Sequence, residues 1–216
     1  IGAESAEVIY AVPHEIDTGR SYYRDLKERA ARKGRDPDGM KILPGITPFI
    51  GETEAEARAK YDLLNALVAP ELGLSYLYGQ MGDLSAHSLD GPVPEPNDPK
   101  VRSIAQNLLK LARRDNLTIR QLYTTIAAGF GSRILIGTAK QIADEMEAWM
   151  EAEAADGFNI CPAALPVGLE DFAAQVVPEL QRRGMFRTEY ASRTLRGNLG
   201  VPVPASRYGG AVVPAR

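Results

Sequence analysis

The stretch that most constrains the fold is the block from Gly137 to Tyr190, because it contains one complete helix, strand and helix unit. Thr138 is a suitable cap for the first helix, and apolar residues recur after it at the spacing of one buried face. The short apolar run from Phe158 to Cys161 follows, and Pro162 ends it before a second amphipathic helix. This alternation predicts a parallel sheet covered by helices.

Two further apolar segments predict strands that each precede a helix, at Ala6 to Val12 and Ile42 to Ile50. A helix from Ser21 to Lys33 follows the first, and Thr53 caps a long helix after the second. We expect the prolines and glycine inside the second strand to make it irregular. Ser132 to Gly137 is predicted to be an extended connection outside the sheet, although its sequence alone leaves a strand open.

The regular alternation stops between about Ser75 and Arg133. Gln80 to Pro99 is rich in Pro, Asp, Ser and Gly, so it is predicted to be a long structured loop, and such loops in compact domains are usually functional. Two short helices are predicted after it, at Val101 to Arg114 and Thr118 to Ala128. The last residues, Gly197 to Arg216, predict a C-terminal arm that packs on a neighbour or is loosely ordered.

Composition and charge exclude several classes of partner. The 216 residues are 44% hydrophobic and 25% charged, which suits one sizeable core. A formal charge of -3 gives no basic footprint, so we expect neither a nucleic-acid nor a membrane partner. One cysteine cannot form an internal disulfide, and no window approaches the roughly 18 apolar residues that span a bilayer. These features favour a cytoplasmic location.

The chain shows no metal site and no phosphate-binding motif by sequence. Its two histidines and one cysteine have no recognisable metal-ligand spacing, and neither GxGxxG nor a Walker motif is present. Chemistry carried by a bound organic cofactor fits this pattern, because the protein then supplies mainly orientation and exclusion of water.

The number of predicted strands leaves two architectures open. Three parallel strands do not close a barrel, and an eight-stranded (β/α) barrel typically needs about 250 residues. The chain is therefore either a small open α/β sheet or the C-terminal portion of a larger barrel. Because Ile1 is followed within a few residues by an apolar strand, we expect the sequence to start inside a fold.

Three segments, taken in order, carry a resemblance to a known family: GRDPDGMKILPGITPFIGETEAEARAKYDLLNALV, DLSAHSLDGPVPE and ILIGTAKQIADEMEAWMEAEAADGFNICPAALPVGLEDFAAQVVPELQRRGMFRTEY. They resemble the C-terminal half of the bacterial-luciferase-like flavin monooxygenases, and are most similar to the nitrilotriacetate monooxygenase component A group. The resemblance implies an α/β fold of the luciferase-like (β/α)8 TIM-barrel type. Residues 1–196 would be an incomplete C-terminal portion of that barrel, residues 75–133 an inserted lid loop with helices, and residues 197–216 the arm.

The resemblance also implies the chemistry. Reduced FMN, delivered by a separate flavin reductase, would react with O2 to give a flavin C4a-peroxide that oxygenates a small organic substrate containing a C–N, C–S or C–H bond. A deazaflavin in place of FMN is the weaker alternative. A homo-oligomer, or association with a missing N-terminal half, is expected. The hypothesis of a different class is a catalytically silent barrel fragment or subunit that needs that missing half.

Four residues are the candidates for the site, which in such barrels lies at the carboxyl ends of the strands. His87 is the catalytic candidate, because an imidazole on the lid loop can take or give a proton near neutral pH; a loop histidine bonded to a neighbouring carboxylate is the alternative. Tyr10 matches a position where relatives often carry an aromatic near the flavin or the substrate, and is otherwise a core tyrosine. His14 and Asn159 are the substrate-binding candidates, with a solvent-facing turn histidine and a structural amide as their alternatives.

We expect the chain alone not to hold FMN tightly. Relatives carry a Gly- and Ser-containing flavin-phosphate segment just upstream of the position that matches Ile1, and most residues around their flavin ring lie on earlier strands. The chain by itself is therefore expected to be inactive. Titrating FMN against the purified chain and following flavin fluorescence checks this, and micromolar binding would contradict it.

Overall fold

The computed structural model of the protein describes residues 1–129 and 131–204. The strands are β1 (Val8–Ala11), β2 (Lys41–Ile50), β3 (Arg133–Gly137) and β4 (Asn159–Ile160). The helices are α1 (Gly2–Ser5), α2 (Ile16–Arg32), α3 (Glu54–Ala66), α4 (Pro70–Met81), α5 (Arg102–Arg114), α6 (Ile119–Gly129), α7 (Ala139–Glu151), α8 (Val167–Asp171), α9 (Val177–Arg182) and α10 (Leu195–Asn198). None of these helices is long and apolar enough to cross a membrane.

The chain forms two compact units. The first contains residues 1–44, 146–158 and the described residues from 180 onward; the second contains residues 45–145 and 159–179. In the first unit, β1 pairs in parallel with the start of β2, from Val8 opposite Lys41 to Ala11 opposite Pro44. A tryptophan core lies beside them. Trp149 is 1% exposed, and a Cβ on Gly19 would lie 2.7 Å from its indole ring, so only glycine allows α2 to approach so closely.

A buried ion pair joins separate segments of the first unit. The ammonium of Lys27 on α2 lies 3.2 Å from Oδ2 of Asp156, and the two side chains are only 10% and 15% exposed. Lys27 also donates to the main-chain carbonyls of Pro37 and Met40, at 2.9 Å and 2.7 Å. Its three bonds compensate the cost of burying a charge, which would otherwise be several kcal/mol.

The carboxylate of Asp156 is bonded as fully as its partner. It accepts the main-chain amide of Ile42 at 2.8 Å and the hydroxyl of Tyr23 at 3.0 Å, while its own amide donates to the Ile42 carbonyl at 2.9 Å. Asp156 therefore aligns the segment before β4 with β2 and attaches both to α2. This role of Asp156 was not predicted from the sequence.

In the second unit, the remainder of β2 pairs in parallel with both β3 and β4, beginning with Ile46 opposite Arg133 and Gly45 opposite Asn159. Helices α4, α5 and α6 form an apolar cluster in the same unit. Its buried members are Leu77, Met81, Leu84, Ala105, Ala112, Ile119, Leu122 and Tyr123. Helix α4 was not predicted, whereas α5 and α6 begin and end close to the expected positions.

The parallel strands and covering helices confirm a mixed α/β fold, but a TIM barrel is not confirmed, because the described strands do not close. The expectation that Ser132 to Gly137 lies outside the sheet is wrong: Arg133–Gly137 is β3, and its Leu135 is 7% exposed. Backbone groups along the second half of β2 need hydrogen-bond partners when buried, and β3 supplies them.

The expected irregularity of β2 is also wrong, since Lys41–Ile50 is one continuous strand despite its prolines. Successive amides alternate between the two sides of a strand. In the first unit, Lys41 donates toward β1 and Ile42 donates to the Asp156 carboxylate, so the nitrogen of Pro44 faces away from β1. By the same alternation, the nitrogen of Pro48 in the second unit faces away from β3. The prolines thus interrupt neither pairing.

The start of the predicted C-terminal arm packs within the first unit. Val201 is 5% exposed, and Arg196 forms a two-pronged ion pair with Glu7, at 2.7 Å and 2.6 Å. Residues 205–216 of that prediction lie outside the described residues. The domain division made from the sequence stays a prediction.

Replacing Asp156 with alanine should destabilise the protein strongly, because it leaves the Lys27 ammonium buried without its carboxylate. We expect a loss of about 3–5 kcal/mol in the free energy of unfolding, measured by urea denaturation followed by tryptophan fluorescence. Asp25→Ala is the matched control, since Asp25 pairs with Arg29 on the exposed face of α2 in the same unit. A loss below about 1 kcal/mol for Asp156→Ala would show that the buried pair is dispensable.

Tyr23 should make stability fall at alkaline pH. Burial, followed by the charge and hydrogen bond of Asp156, raises the pKa of the Tyr23 hydroxyl above its ordinary value. A pKa raised by folding stabilises the native state below the unfolded pKa of about 10 and loses that contribution as pH rises further. Urea midpoints measured from pH 9 to 11.5 should therefore fall more steeply for the natural protein than for Tyr23→Phe. Tyr190→Phe, which removes an exposed hydroxyl, serves as the control; identical slopes for Tyr23→Phe and the natural protein would refute the prediction.

Candidate functional site

The four candidate residues are divided between the two units. Tyr10 and His14 belong to the first, and His87 and Asn159 belong to the second. All lie at strand ends or in loops that follow elements: Tyr10 near the carboxyl end of β1, His14 between β1 and α2, His87 in the loop after α4, and Asn159 on β4. The structure therefore agrees with their predicted placement in the chain, and their roles stay predictions.

One face of β1 is exposed and apolar. Val8, Tyr10 and Val12 are 42%, 52% and 50% exposed, and alternation along the strand directs all three to the same side. Tyr10 is thus not the core tyrosine considered as its alternative. His14, two residues beyond Val12, is exposed as well. The first unit therefore presents an apolar surface with the Tyr10 ring between two valines, and His14 follows it in the chain.

A cavity of about 300 Å³ opens in the second unit where β2 ends and the chain leaves β4. Its wall is almost entirely apolar and comes from the end of β2, from α3 and from the segment around α8. The lining residues are Pro48, Phe49, Ile50, Lys60, Leu63, Leu64, Leu67, Ala163, Ala164, Val167, Gly168 and Asp171. Sequence reasoning missed this cavity, because its wall comes from three separate segments of the chain; one of its residues, Leu67, is 73% exposed.

Lys60 and Asp171 form the polar part of the cavity wall. The Lys60 ammonium donates to Asp171 Oδ2 at 2.9 Å and to the Ile50 carbonyl at 2.7 Å, and lies 3.4 Å from Glu56. Burial alone would lower the pKa of Lys60, but its bonds to Asp171 and Glu56 outweigh burial and raise that pKa. Lys60 therefore stays charged, with its donors directed at protein groups, and ties the end of β2 to α3.

The loop that carries His87 begins at a glycine that no other residue can replace without strain. Gly82 ends α4 with φ of +87°, and a Cβ there would lie 1.8 Å from the Asn97 carbonyl oxygen. The Asn97 amide returns a bond to the Met81 carbonyl at 2.8 Å. The two ends of the loop are thus held together, which matches the expected structured loop rather than a flexible one.

His87 lies at the exposed tip of this loop. Its amide donates to the Leu84 carbonyl at 3.0 Å, and Leu84 is buried in the apolar cluster. Asp83 accepts the Ser85 amide at 2.9 Å; that bond, with a smaller contribution from His87, lowers the pKa of the Asp83 carboxyl. Within the described part of the chain, no hydrogen bond joins the His87 ring to a carboxylate, so the alternative of a carboxylate-bonded loop histidine receives no support.

Asn159 and Cys161 occupy alternate positions at the end of β4. Asn159 lies opposite Gly45, and the Cys161 amide donates to the Ile46 carbonyl at 2.8 Å. Both side chains are half-buried. Among the residues that the structure describes, no group of three or more His, Cys, Asp or Glu side chains is placed to hold a metal ion.

Residues 1–156 match the family model described as luciferase-like monooxygenase. The chain belongs to this family. It is 46% identical over 208 residues to nitrilotriacetate monooxygenase component A from Aminobacter aminovorans, a match that covers 94% of this chain and 46% of that protein. The resemblance found in the sequence is therefore confirmed at the level of the family and of this relative.

Solved structures of the family have the same fold. An EDTA monooxygenase from Chelativorans sp. BNC1 is 33% identical, with a TM-score of 0.73 over 93% of this chain and 46% of that one. A riboflavin lyase, solved with modified FMN and its substrate riboflavin, is 26% identical, with a TM-score of 0.72 over 95% of this chain and 45% of that one. This luciferase-like chain thus spans about half the length of the relatives that it matches.

These comparisons support a flavin cofactor, and one feature of the structure fits such a group. The exposed face formed by Val8, Tyr10 and Val12 is apolar and carries an aromatic ring near a strand end, which suits packing against a planar ring system.

Sequence reasoning also missed Arg120, whose side chain bonds to Asp90 in the loop of His87. Its partner lies 30 positions away, a separation that leaves no periodic signal.

Proposed function

We propose that this luciferase-like chain is part of a two-component monooxygenase that uses reduced FMN and O2 to oxygenate a small organic substrate. The observation that carries the proposal is the 46% identity to nitrilotriacetate monooxygenase component A across 94% of the chain. The designation of that relative as component A implies a partner component, and we infer a flavin reductase as the partner here. A cytoplasmic location and assembly into a homo-oligomer belong to the same proposal.

The substrate that we propose is a small molecule with a C–N, C–S or C–H bond to be oxidised. Two similar proteins are named for nitrilotriacetate and for EDTA, both of which contain C–N bonds, so these compounds are the first probes. The proposal does not extend to one substrate, because specificity in such enzymes depends on pocket shape and on loops.

The bound flavin supplies the reaction with O2, and the protein supplies binding, orientation and proton transfer. We assign Tyr10 to contact with the flavin ring, because its own ring is half exposed near the end of β1. His14 and Asn159 are assigned to the substrate, which an imidazole and an amide can each bind by hydrogen bonds. His87 is assigned the proton transfer at its ring nitrogen, since it is exposed on a loop with a fixed backbone.

The alternative is a catalytically silent barrel fragment or subunit that needs a partner equivalent to the half of its relatives that it does not match. The exposed apolar face of β1 favours association with some partner, because contiguous apolar surface on a strand is rarely left in water. If the chain oxygenates a substrate only when it is combined with such a partner, the monooxygenase and the subunit hypotheses both hold, because the partner would complete the site formed by the residues assigned here.

The proposal is tested by supplying the purified chain with FMN, NADH, a flavin reductase, O2 and either nitrilotriacetate or EDTA. The chain is assayed alone and after coexpression with the portion of nitrilotriacetate monooxygenase component A that it does not match. We expect oxygenated product, detected by mass spectrometry, in the coexpressed sample. A stable complex that binds reduced FMN yet yields no product from either probe would favour the silent subunit.

His87→Gln should then lower kcat by about 10²–10⁴-fold with little change in KM, because general acid–base catalysis contributes about that much. Ser88→Ala is the matched control, since Ser88 is an exposed neighbour at the same loop tip. Equal kcat values for His87→Gln and the natural sequence would remove His87 from the mechanism and leave the family assignment intact.

A further inference from the structure

Backbone bonds, together with the packing of neighbouring leucines, fix the position of His87. Its amide donates to the Leu84 carbonyl at 3.0 Å, and the Gly91 amide donates to the Ser88 carbonyl at 2.9 Å, so the residue lies between two consecutive turns. All residues from Ser85 to Ser88 are exposed. Leu84, on the N-terminal side, is 4% exposed and anchors the first turn in the apolar cluster. The second turn contributes only the partly buried Leu89 to that cluster, and it has a further anchor.

That anchor is the first turn of α6. The amide of Arg120 donates to the Leu89 carbonyl at 2.8 Å, and the amide of Ile119 donates to the Gly91 carbonyl at 3.1 Å. The first amides of a helix have no partners within the helix, so they are available for bonds of this kind. The loop thus satisfies the start of α6 while α6 holds the loop.

The side chain of Arg120 adds a second connection at the same place. Its Nε donates to Asp90 Oδ1 at 2.7 Å and its Nη2 to Asp90 Oδ2 at 3.3 Å, a two-pronged arrangement with one carboxylate. Its Nη1 donates to the hydroxyl of Tyr123 at 3.1 Å, and Tyr123 is 1% exposed. Arg120 therefore links an exposed carboxylate in the second turn to a residue of the buried cluster.

We propose that Arg120 is a positioning residue for His87, acting by holding Asp90 and thereby the Ser88–Gly91 turn. This inference rests on the proposed function, in which His87 transfers a proton and must be presented at a fixed place. The planar guanidinium is needed, because an ammonium cannot make the two-pronged bond and reach Tyr123 at once. If Asp90 served only to form the turn, through its own backbone, the identity of residue 120 would not matter.

The first test measures the turn itself in the full 216-residue chain. Hydrogen exchange of the His87 and Gly91 amides is compared in Arg120→Gln, Arg120→Lys, Asp90→Asn and the natural sequence. We expect exchange at these amides to be about two- to fivefold faster in Arg120→Gln and Asp90→Asn, the range typical of an exposed ion pair, and intermediate in Arg120→Lys. Lys140→Gln, which breaks an exposed pair with Asp144 on α7, is the control and should leave these amides unchanged.

The second test measures the consequence for His87 in the coexpressed, active sample. Arg120→Gln should lower kcat about two- to fivefold without raising KM, and Arg120→Lys should restore part of the loss. In the His87→Gln background, Arg120→Gln should have no further effect, because a residue that acts through His87 is silent once His87 is gone.

The outcomes separate this inference from the proposed function. Unchanged exchange at His87 and Gly91 in Arg120→Gln overturns it, and so does a loss of kcat that is equally large in the His87→Gln background. Faster exchange in Arg120→Gln together with full activity of His87→Gln supports the anchoring of the turn by Arg120 but rejects the catalytic assignment of His87. Both the anchoring by Arg120 and the catalytic role of His87 are supported if exchange is faster only in the turn and Arg120→Gln has no further effect on kcat in the His87→Gln background.

Discussion

The first unit depends on one buried ion pair. Lys27 and Asp156 come from segments more than a hundred residues apart, and the hydrogen bonds of both side chains reach other segments of the same unit. A buried pair of this kind adds little net stability relative to a well-packed apolar replacement, but loss of one partner is costly. The role of the pair is therefore to fix strand register. Asp156 is held in place by Lys27, and its bonds to Ile42 determine how the chain entering β4 aligns with β2.

In the second unit, hydrogen bonds to the backbone hold the loop of the candidate site. The loop of His87 has few buried side chains, and it is held by backbone bonds to α4 and α6 and by the fork of Arg120 on Asp90. Exposed side chains on a fixed backbone are a frequent way to present reactive groups, because the group stays accessible while its position varies little. The apolar cavity beside Lys60 lies in the same unit, but its lining provides no free donor from that lysine.

Much of the fold could be predicted from sequence, because periodicity and caps are local signals. Thr53 accepts the Glu56 amide as expected, and α5, α6 and α7 lie close to their predicted positions. The errors concern features decided by distant partners. β3 is a strand because β2 needs it, and the prolines of β2 are tolerated because their nitrogens face away from β1 and β3. Likewise, Tyr10 could be named from sequence, but its exposure could not, since exposure depends on what covers the strand.

The tryptophan fluorescence of the protein comes from the first unit alone. It is the sole tryptophan of the chain, and it is packed against Gly19 in the first unit. Indole emission therefore monitors the environment of that unit, including the neighbourhood of Asp156. The loop of His87, the bond between Arg120 and Asp90 and the apolar cavity belong to the other unit, which contains no tryptophan. Placing an indole in the second unit, for example by Phe49→Trp at the cavity wall, would give that half of the chain a reporter of its own.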